Sequence, residues 1–449
     1  MKNYVPSLEK EFRPMIIELR KFKEKGTVPF AICVERQSGY KYRYDLNVMP
    51  GKNAENEEMI ERVIKSILWV VGGFKIYLGG NDELVKAMQQ VFSYEGTRKF
   101  DVEFMERVYK QKFEVVACKY DEVPASVEAS IPAGGHLEGN RIGFDAGGSD
   151  RKVSAVVNGE VIHSEEVVWF PKINEDPEYH YQGILDSFRR AAEKMPSVDA
   201  IGVSSAGIYI DNEVRVASLF IKVGEEDFNK TVRQMYINCA KEIGNVPLEV
   251  ANDGDVTALA GAMELNDGCV LGIAMGTSEA AGYINKEGNL NGWLSELAFV
   301  PVDYNKGAMV DEWSGDYGCG VKYFSQDGVI KLAGFAGIEL DESLSPAEKL
   351  KVVQGLMKEG NPKAREIYEN IGTYLGYSLA YYSEFYDIKY LLLLGRVTSG
   401  DGGLIVVDKA NEVLKNEFPH LASMKIMMPD ENSRRVGQSI AAASLPKVK

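Results

Sequence analysis

The sequence has few of the residues that build metal centres and disulfide frameworks. Its 449 residues include five cysteines and four histidines. The cysteines are scattered and form no C-x-x-C pair, which argues against both a disulfide framework and a sulfur-ligated zinc site. The histidines lie far apart, with no cysteine or carboxylate cluster at ligand spacing beside them. We therefore expect a protein of a reducing compartment that has no zinc site.

Long apolar runs and excess positive charge are also missing. Apolar runs such as Tyr390–Leu394 are far shorter than the ~20 residues of a membrane span, and the first residues lack the apolar stretch of a signal peptide. With 51 Lys and Arg against 66 Asp and Glu, the net charge of −15 repels phosphate backbones and anionic lipids. We therefore expect a soluble, cytoplasmic protein that binds neither nucleic acid nor a membrane.

The length and the composition are those of a globular protein with more than one core. The chain is about three times the length of a typical domain, and 45% of its residues are hydrophobic and 26% charged. A stretch over 121–140 contains prolines and glycines without periodicity, which marks a boundary. Before it we predict an N-terminal α/β module, 1–135. Its pattern predicts a helix over 57–71, a strand over 75–78 and a helix over 82–92.

After the boundary, one order of elements occurs twice. A strand at 141–145 enters a glycine turn and is followed by hairpin strands, a helix and a further strand, which together predict a mixed sheet. A strand at 270–274 enters a similar turn, and a long helix later leads into the strand Tyr390–Leu394. We predict a first lobe over 140–262 and a second over 263–432. A C-terminal helix over 433–449 is expected to pack back on the first lobe.

The first glycine turn has a carboxylate in front of it. Asp145 precedes Gly147, Gly148 and Ser149. Two glycines between strands let the backbone approach an anion and direct N–H groups at it, and a carboxylate beside them can hold Mg²⁺ through water. The alternative is a hairpin turn in which Asp and Gly supply only the φ angle that the turn needs. The residues by themselves leave both interpretations open.

The second glycine turn follows a buried strand in the same way. Gly276 precedes Thr277, whose hydroxyl can donate a hydrogen bond to a phosphate. An ordinary turn is again the alternative. Two such turns, one in each lobe and facing each other, predict a clamp for the phosphates of a nucleotide.

Two further places carry polar groups that suit an alcohol substrate. Asn252 and Asp253 lie where a strand ends and a helix begins, a position at which helices take such residues as caps. The alternative is that Asp253 accepts the proton of a substrate hydroxyl while Asn252 hydrogen-bonds a neighbouring hydroxyl. Glu296 lies in an apolar stretch and is either at a surface turn or in a pocket that binds a polyol.

These motifs together resemble a known superfamily. The residues that carry the resemblance are, in chain order, Asp145-x-Gly147-Gly148-Ser149, Asn252-Asp253 and Gly276-Thr277. They are similar to the motifs of the two-lobed superfamily of sugar kinases, hsp70 and actin, and more narrowly, over about 141–445, to those of the ROK family of bacterial sugar kinases and regulators. The resemblance implies an α/β, two-lobed actin-like ATPase fold of the ribonuclease H-like kind, with the N-terminal α/β module as an addition.

The resemblance also implies an activity, namely ATP-dependent phosphorylation of a hydroxyl of a sugar or sugar-like polyol. ATP and Mg²⁺ are then the cofactors. Asp145 would hold Mg²⁺ through water, both glycine turns would hold the phosphates, and Gly395 would allow close approach to the adenosine. Asp253 would be the general base. The residues expected to bind the sugar are Ser205, Asn252 and Glu296.

The sequence departs from the ROK pattern at several positions. Phe299 occupies the position of a zinc-binding histidine, and Val321 that of a second sugar-binding glutamate. The second turn has Ser278, Glu279 and Ala280 where glycines are usual, and a carboxylate at 279 repels a triphosphate unless it points away. The alternative to a kinase is therefore a catalytically weak or inactive sugar- or nucleotide-binding sensor of the ROK type.

The N-terminal module does not contain the helix-turn-helix of ROK regulators in recognisable form, so a DNA-binding regulator is not favoured. Three roles for residues 1–135 are left open. The module covers the cleft, supplies the interface of a homodimer, or completes the acceptor pocket.

Overall fold

The computed structural model describes residues 5–128, 134–429 and 431–448, with the backbone alone for 431–436. Contacts divide these residues into two compact units. Unit 1 takes in the described residues of Met1–Ala129, Ile273–Ala281 and Trp293–Met428. Unit 2 takes in those of Ser130–Gly272, Gly282–Gly292 and Pro429–Lys449. Within the described ranges, no helix has both the length and the apolarity that crossing a membrane requires.

The N-terminal part of unit 1 is a four-stranded sheet with its helices. The helices are α1 Met15–Lys25, α2 Asn53–Val70, α3 Asp82–Val91 and α4 Lys99–Tyr109. The strands are β1 Val28–Glu35, β2 Lys41–Val48, β3 Lys75–Gly79 and β4 Glu114–Cys118, in the order β2-β1-β3-β4. Strand β1 is antiparallel to β2 and β3, and β3 is parallel to β4. The helix, strand and helix predicted within 57–92 are confirmed as α2, β3 and α3.

Helix α2 explains why the N-terminal residues, expected to form a separate module, share a compact unit with 293–428. Its side chains are buried from Met59 to Val70 except that of Glu61. Burying the cations Arg62 and Lys65 requires counter-charge. Both form ion pairs with the buried carboxylate of Asp316, which belongs to the C-terminal part of unit 1.

Unit 2 is built on a mixed five-stranded sheet. Its strands are β5 Asn140–Ala146, β6 Asp150–Val157, β7 Glu160–Val168, β8 Ala200–Ser205, the short β9 Ile208–Ile210 and β10 Glu213–Val216, and β11 Leu248–Asn252. Its helices in this stretch are α5 Pro177–Ala192, α6 Glu225–Lys230, α7 Met235–Ile243 and α8 Asp253–Leu265. The sheet order is β11-β8-β5-β6-β7, parallel over β11, β8 and β5 and antiparallel over β5, β6 and β7. The predicted hairpin at Asn158-Gly159 and the mixed sheet are confirmed.

The remaining elements form a second mixed α/β arrangement. They are β12 Val270–Met275, β13 Glu279–Ile284, α9 Gln326–Phe335, α10 Pro346–Lys358, α11 Pro362–Tyr382, β14 Tyr390–Leu394, α12 Asp401–Glu417 and β15 Lys425–Met427. The C-terminal helix, α13 Glu431–Ala443, belongs to unit 2. The strands form a sheet in the order β13-β12-β14-β15. The strand predicted at 390–394 is β14.

The C-terminal helix α13 packs against α8, β5 and β8 of unit 2. Glycines in the two strands make room for it. A Cβ atom on Gly202 would overlap the carbonyl oxygen of Ala442, and one on Gly143 would overlap that of Ser439. The helix runs over Glu431–Ala443 rather than to the last residue. The domain boundaries that we place at 135, 262 and 432 stay predictions.

Candidate functional site

Asp145 lies near the carboxyl end of β5, where the parallel strand β8 holds it. Asp145 and Ser204 are register partners, and the Ser204 hydroxyl donates a 2.9 Å hydrogen bond to Oδ1 of Asp145. Burial, and to a smaller extent the charge of Asp253, raise the pKa of the Asp145 carboxyl to about 6. The result is an oriented, half-buried carboxylate that is ionised at neutral pH.

The glycine turn after Asp145 is fixed by one tryptophan. The Trp169 indole donates a 2.8 Å hydrogen bond to the Gly147 carbonyl, and the Trp169 backbone N–H donates to the Ser149 carbonyl. Gly148 and Ser149 are exposed, and the Ser149 hydroxyl donates to Asp150 at 2.8 Å. Neither glycine has a positive φ. The turn therefore does not need its glycines for their backbone freedom. It does need Gly147 for space, because a Cβ atom there would lie 2.8 Å from the Asp150 carbonyl oxygen.

The end of the Lys172 side chain lies beside Gly148, and sequence reasoning missed it. A Cβ atom on Gly148 would lie 3.0 Å from Cε and 3.1 Å from Nζ of Lys172. The ammonium group is thus placed beside the open glycine turn, and its charge also acts on the Asp253 carboxylate. Lys172 lies in the 3-10 helix Pro171–Ile173 directly after β7. No local pattern identifies it, because only the hairpin of β6 and β7 returns this segment to the turn.

The buried imidazole of His180 anchors the Lys172 segment. One ring nitrogen lies 3.0 Å from the Pro171 carbonyl oxygen, and the other lies 3.0 Å from that of Asp176. His180 is fully buried and contacts aromatic rings of the unit 2 core. The backbone that carries Lys172 is therefore fixed to the start of α5.

Asn252 caps helix α8, and Asp253 also accepts a hydrogen bond from the helix backbone, since its Oδ1 lies 3.0 Å from the Gly254 nitrogen. Asn252 is the N-cap of α8, because its Oδ1 accepts the Gly254 N–H at 2.7 Å, while its Nδ2 donates to the Gly207 carbonyl at 2.7 Å. Both ends of this amide are engaged within unit 2. Asp253 is the first residue of α8, and burial raises the pKa of its carboxyl above the ordinary value, with the charge of Lys172 opposing the rise. A raised pKa suits a proton acceptor.

Ser205 is placed differently from the direct sugar contact expected of it. Its side chain is fully buried, and its hydroxyl oxygen accepts hydrogen bonds from Tyr209 at 2.7 Å and Tyr236 at 3.0 Å. Ser205 is the last residue of β8, and its side chain faces the two tyrosines. The hydroxyl of Tyr209 is a better candidate for contact with a substrate, since it is close enough to Asp253 for that charge to raise its pKa.

The second glycine turn lies in unit 1 and is closed by backbone hydrogen bonds. The Gly276 N–H donates to the Ser278 carbonyl, and the Gly276 carbonyl accepts from the Gln326 N–H, both at 2.9 Å. Thr277 and Ser278 are exposed. Glu279 points away from them into the interior of unit 1, with 3% of its surface exposed. The repulsion that the sequence suggested between Glu279 and a triphosphate at this turn is therefore absent.

The N-terminal part of unit 1 positions Glu296. The backbone N–H groups of Leu294, Ser295 and Glu296 donate to the carbonyls of Val71, Val70 and Trp69 at the end of helix α2. These carbonyls are among those that a helix leaves unpaired at its C-terminus. Glu296 is half-buried and precedes the 3-10 helix Leu297–Phe299.

Aromatic packing occupies the position where the resemblance places a zinc-binding histidine. Phe299 stacks on Trp69 with ring centroids 4.2 Å apart, and Phe100 and Phe104 complete the cluster. Cys319 is fully buried. In the part of the chain that the structure describes, no three His, Cys, Asp or Glu side chains are grouped to hold a metal ion.

Gly395 is required by the packing of unit 1. Its φ is 99°, in the region that favours glycine, and a Cβ atom there would overlap the carbonyl oxygen of Met275 at the end of β12. The close approach that the structure displays is thus to another strand. Contact with adenosine stays a prediction.

Three solved structures show what this fold is similar to. A ROK hexokinase from Thermus thermophilus matches with a TM-score of 0.54 at 16% identity, over 68% of this chain and 97% of its own. A ROK family transcriptional regulator, homologous to the E. coli MLC protein, matches at 0.52 and 16%, over 69% and 79%. A ROK family protein from Streptococcus pneumoniae in complex with sucrose matches at 0.50 and 12%, over 67% and 96%.

Sequence comparison adds no family assignment. No protein-family model matches the sequence, and a search of curated proteins finds no match. At 12–16% identity the structural matches show the fold alone. They confirm the predicted fold class, a mixed α/β fold of the actin-like, ROK type.

Proposed function

We propose that this chain, whose fold is that of the ROK proteins, is an ATP-dependent phosphotransferase that phosphorylates a hydroxyl of a sugar or sugar-like substrate. One observation carries the proposal. Within unit 2, the Asp253 carboxyl is close enough to both Asp145 and Lys172 for their charges to interact, and the Lys172 ammonium lies beside the open turn at Gly148.

The residues of this turn fit the phosphates of Mg-ATP. Gly148 leaves the space beside the Lys172 ammonium without a side chain, so an anionic oxygen can approach both the cation and the backbone. Bound Mg-ATP supplies the transferable phosphoryl group and the metal that neutralises its charge. Asp145 would hold the Mg²⁺ through water. The groups that would hold the phosphates are those of Gly147, Gly148, Ser149, Gly276 and Thr277, and Gly395 would lie near the adenosine.

Asp253 would take the proton of the acceptor hydroxyl. Its position at the start of α8 and its raised pKa support this role. Asn252, in the capping role that it has here, would fix the backbone that carries Asp253. Glu296 would accept hydrogen bonds from acceptor hydroxyls, while Ser205 would act through Tyr209.

The test is Asp253→Asn, assayed for ADP release over a panel of sugars. We expect the variant to lose about 10²- to 10⁴-fold in kcat and to keep its affinity for Mg-ATP. Asp227→Asn is the matched control, because Asp227 is exposed on α6 of the same unit. Wild-type transfer by Asp253→Asn on a substrate that the wild type phosphorylates contradicts the assignment.

A second candidate is a sugar- or nucleotide-binding sensor without catalysis. Two observations favour it, namely the similarity to a ROK transcriptional regulator and the second turn, where Ser278 and Ala280 stand at positions that are usually glycine. Calorimetry and an assay of ADP release separate the two candidates. Sugar binding without any Mg-ATP binding at millimolar nucleotide supports the sensor, and ADP release that depends on the bound sugar supports the kinase.

A further inference from the structure

A glutamate without a partner lies inside unit 1. Glu279 has 3% of its surface exposed, and neither of its carboxylate oxygens has a hydrogen-bond partner among the described residues. Most buried carboxylates are paired, because removing an ionised carboxylate from water is unfavourable. A buried carboxyl group without a hydrogen-bond partner is either protonated or part of a site that binds a cation.

The polar groups near Glu279 include a backbone carbonyl, a tyrosine hydroxyl and the Glu296 carboxylate. Its Oε2 occupies the space where Gly320 has no Cβ atom, and the Leu297 carbonyl oxygen lies 2.6 Å from the same point. Glu296 is near enough that its charge acts on Glu279. The hydroxyl of Tyr382, which is fully buried, has no hydrogen-bond partner in the described chain, and the charge of Glu279 reaches it.

The burial of Glu279 and the nearby charge of Glu296 favour the binding of a cation at the Glu279 carboxyl. Burial, and then the charge of Glu296, raise the pKa of the Glu279 carboxyl well above its ordinary value. A cation bound beside the Glu279 carboxylate reverses both effects. The glutamate would then release its proton and bind the cation as a carboxylate.

We infer that Glu279 and Glu296 bind the ammonium group of the acceptor, so that the substrate class is a free amino sugar or a similarly hydroxylated amine. The inference rests on the proposed function, in which Glu296 holds the acceptor. An ammonium group donates three hydrogen bonds, which the Glu279 and Glu296 carboxylates and the Leu297 carbonyl are able to accept. A metal ion is disfavoured, because the described residues contain no group of three or more ligating side chains.

Calorimetry with three matched sets of ligands tests the inference. The probes are D-glucosamine, D-mannosamine and D-galactosamine, each compared with its neutral hexose and its N-acetyl derivative, at a pH where the free amine is protonated. We expect one amino sugar to bind about 10- to 100-fold more tightly than its neutral counterparts. Titration in buffers of different ionisation enthalpy is expected to detect a proton released on binding.

Glu279→Gln is the variant, and Glu417→Gln is its matched control. Glu417 is also buried in unit 1, with neither oxygen hydrogen-bonded among the described residues. The preference for the amine and the proton release are expected to disappear in Glu279→Gln and to persist in Glu417→Gln. Both readouts exist in the wild type, so the inference stays testable if a variant does not fold.

The inference is overturned if no amino sugar binds more tightly than its neutral counterpart, or if Glu279→Gln keeps the preference. Its failure differs from failure of the proposed function. Phosphorylation of neutral sugars without a preference for amines refutes the amine site and leaves the phosphotransferase. Glu279-dependent binding of an amine without ADP release supports the amine site and refutes the phosphotransferase.

Discussion

Ser204 donates a 2.9 Å hydrogen bond to Asp145 from the neighbouring parallel strand. The bond fixes the orientation of the carboxylate near the end of β5. It also lowers the pKa of Asp145, but burial outweighs it, and the pKa is raised to about 6. The ionisation of the proposed Mg²⁺-holding group therefore falls within an accessible pH range.

The affinity for Mg-ATP is expected to depend on pH through Asp145. Below a pH of about 6 the carboxyl is protonated and cannot hold hydrated Mg²⁺, so affinity should fall roughly tenfold per pH unit as pH decreases further. Asp145→Asn should bind weakly at every pH, with a flat profile. Calorimetry between pH 7 and pH 5 measures both. A flat profile for the wild type removes Asp145 from the metal site.

Asp145 should also affect the stability of the unliganded protein, with a defined sign. Its folded-state pKa of about 6 exceeds the ordinary aspartate value of 3.8, so the folded state binds more protons between these values and its stability rises as pH falls through them. At pH 7, Asp145→Asn should raise the free energy of unfolding by about 1–3 kcal/mol. At a pH below 4 the difference should vanish. Urea titrations at both pH values measure this, and a destabilised variant at pH 7 contradicts the burial argument.

Lys172 is expected to contribute to phosphoryl transfer. Lys172→Met removes the cation beside Gly148 and should lower kcat about 10- to 100-fold, because one charge-assisted hydrogen bond to the transferring group is lost. Lys172→Arg keeps the positive charge and should retain part of the kcat that Lys172→Met loses. Lys194→Met is the control, since Lys194 is exposed in the same unit. Equal kcat for Lys172→Met and the control excludes the role.

Local sequence patterns predicted the strands and turns, but they did not predict contacts between residues that are distant in the sequence. The strand at 390–394 is apolar throughout, and Asn158-Gly159 is a strong hairpin signal, so both were predictable from a few residues. Lys172 was not, because it reaches Gly148 only through the hairpin of β6 and β7. Ser205 was assigned to the sugar by position in a motif, and its burial against Tyr209 and Tyr236 depends on the tertiary fold.

The departures from the ROK pattern also have physical explanations that the sequence did not reveal. Phe299 is favourable because Trp69, contributed by α2, covers it. Glu279 does not disturb the second turn because its side chain enters the interior next to Gly320. In both cases the compensating residue lies more than 40 positions away along the chain, which a local pattern does not register.

A buried charge cluster should be essential for the stability of unit 1. Three cations from the N-terminal part, Arg62, Lys65 and Arg98, form ion pairs with Asp316. Although burial opposes it, they hold the pKa of the Asp316 carboxyl well below its usual range. Asp316→Asn leaves these cations short of a counter-charge and should lower the free energy of unfolding by about 3–5 kcal/mol.

Chemical denaturation of Asp316→Asn measures this loss, with Asp408→Asn as the control. Asp408 is exposed on α12 of the same unit, and its replacement should change stability by less than about 0.5 kcal/mol. Similar stability of the two variants shows that the cluster is not what attaches the N-terminal residues to unit 1.

The packing of α13 on unit 2 should depend on a strand glycine. Because a Cβ atom on Gly202 would overlap the Ala442 carbonyl, Gly202→Ala forces backbone apart and should cost about 1–3 kcal/mol. Gly272→Ala is the matched control, since Gly272 also lies in a strand and its Cβ would be 3.5 Å from the Ala258 Cβ, an ordinary contact. Hydrogen exchange of the peptide covering 437–443 should accelerate in Gly202→Ala alone. If both variants exchange there at the wild-type rate, α13 is not held by this contact.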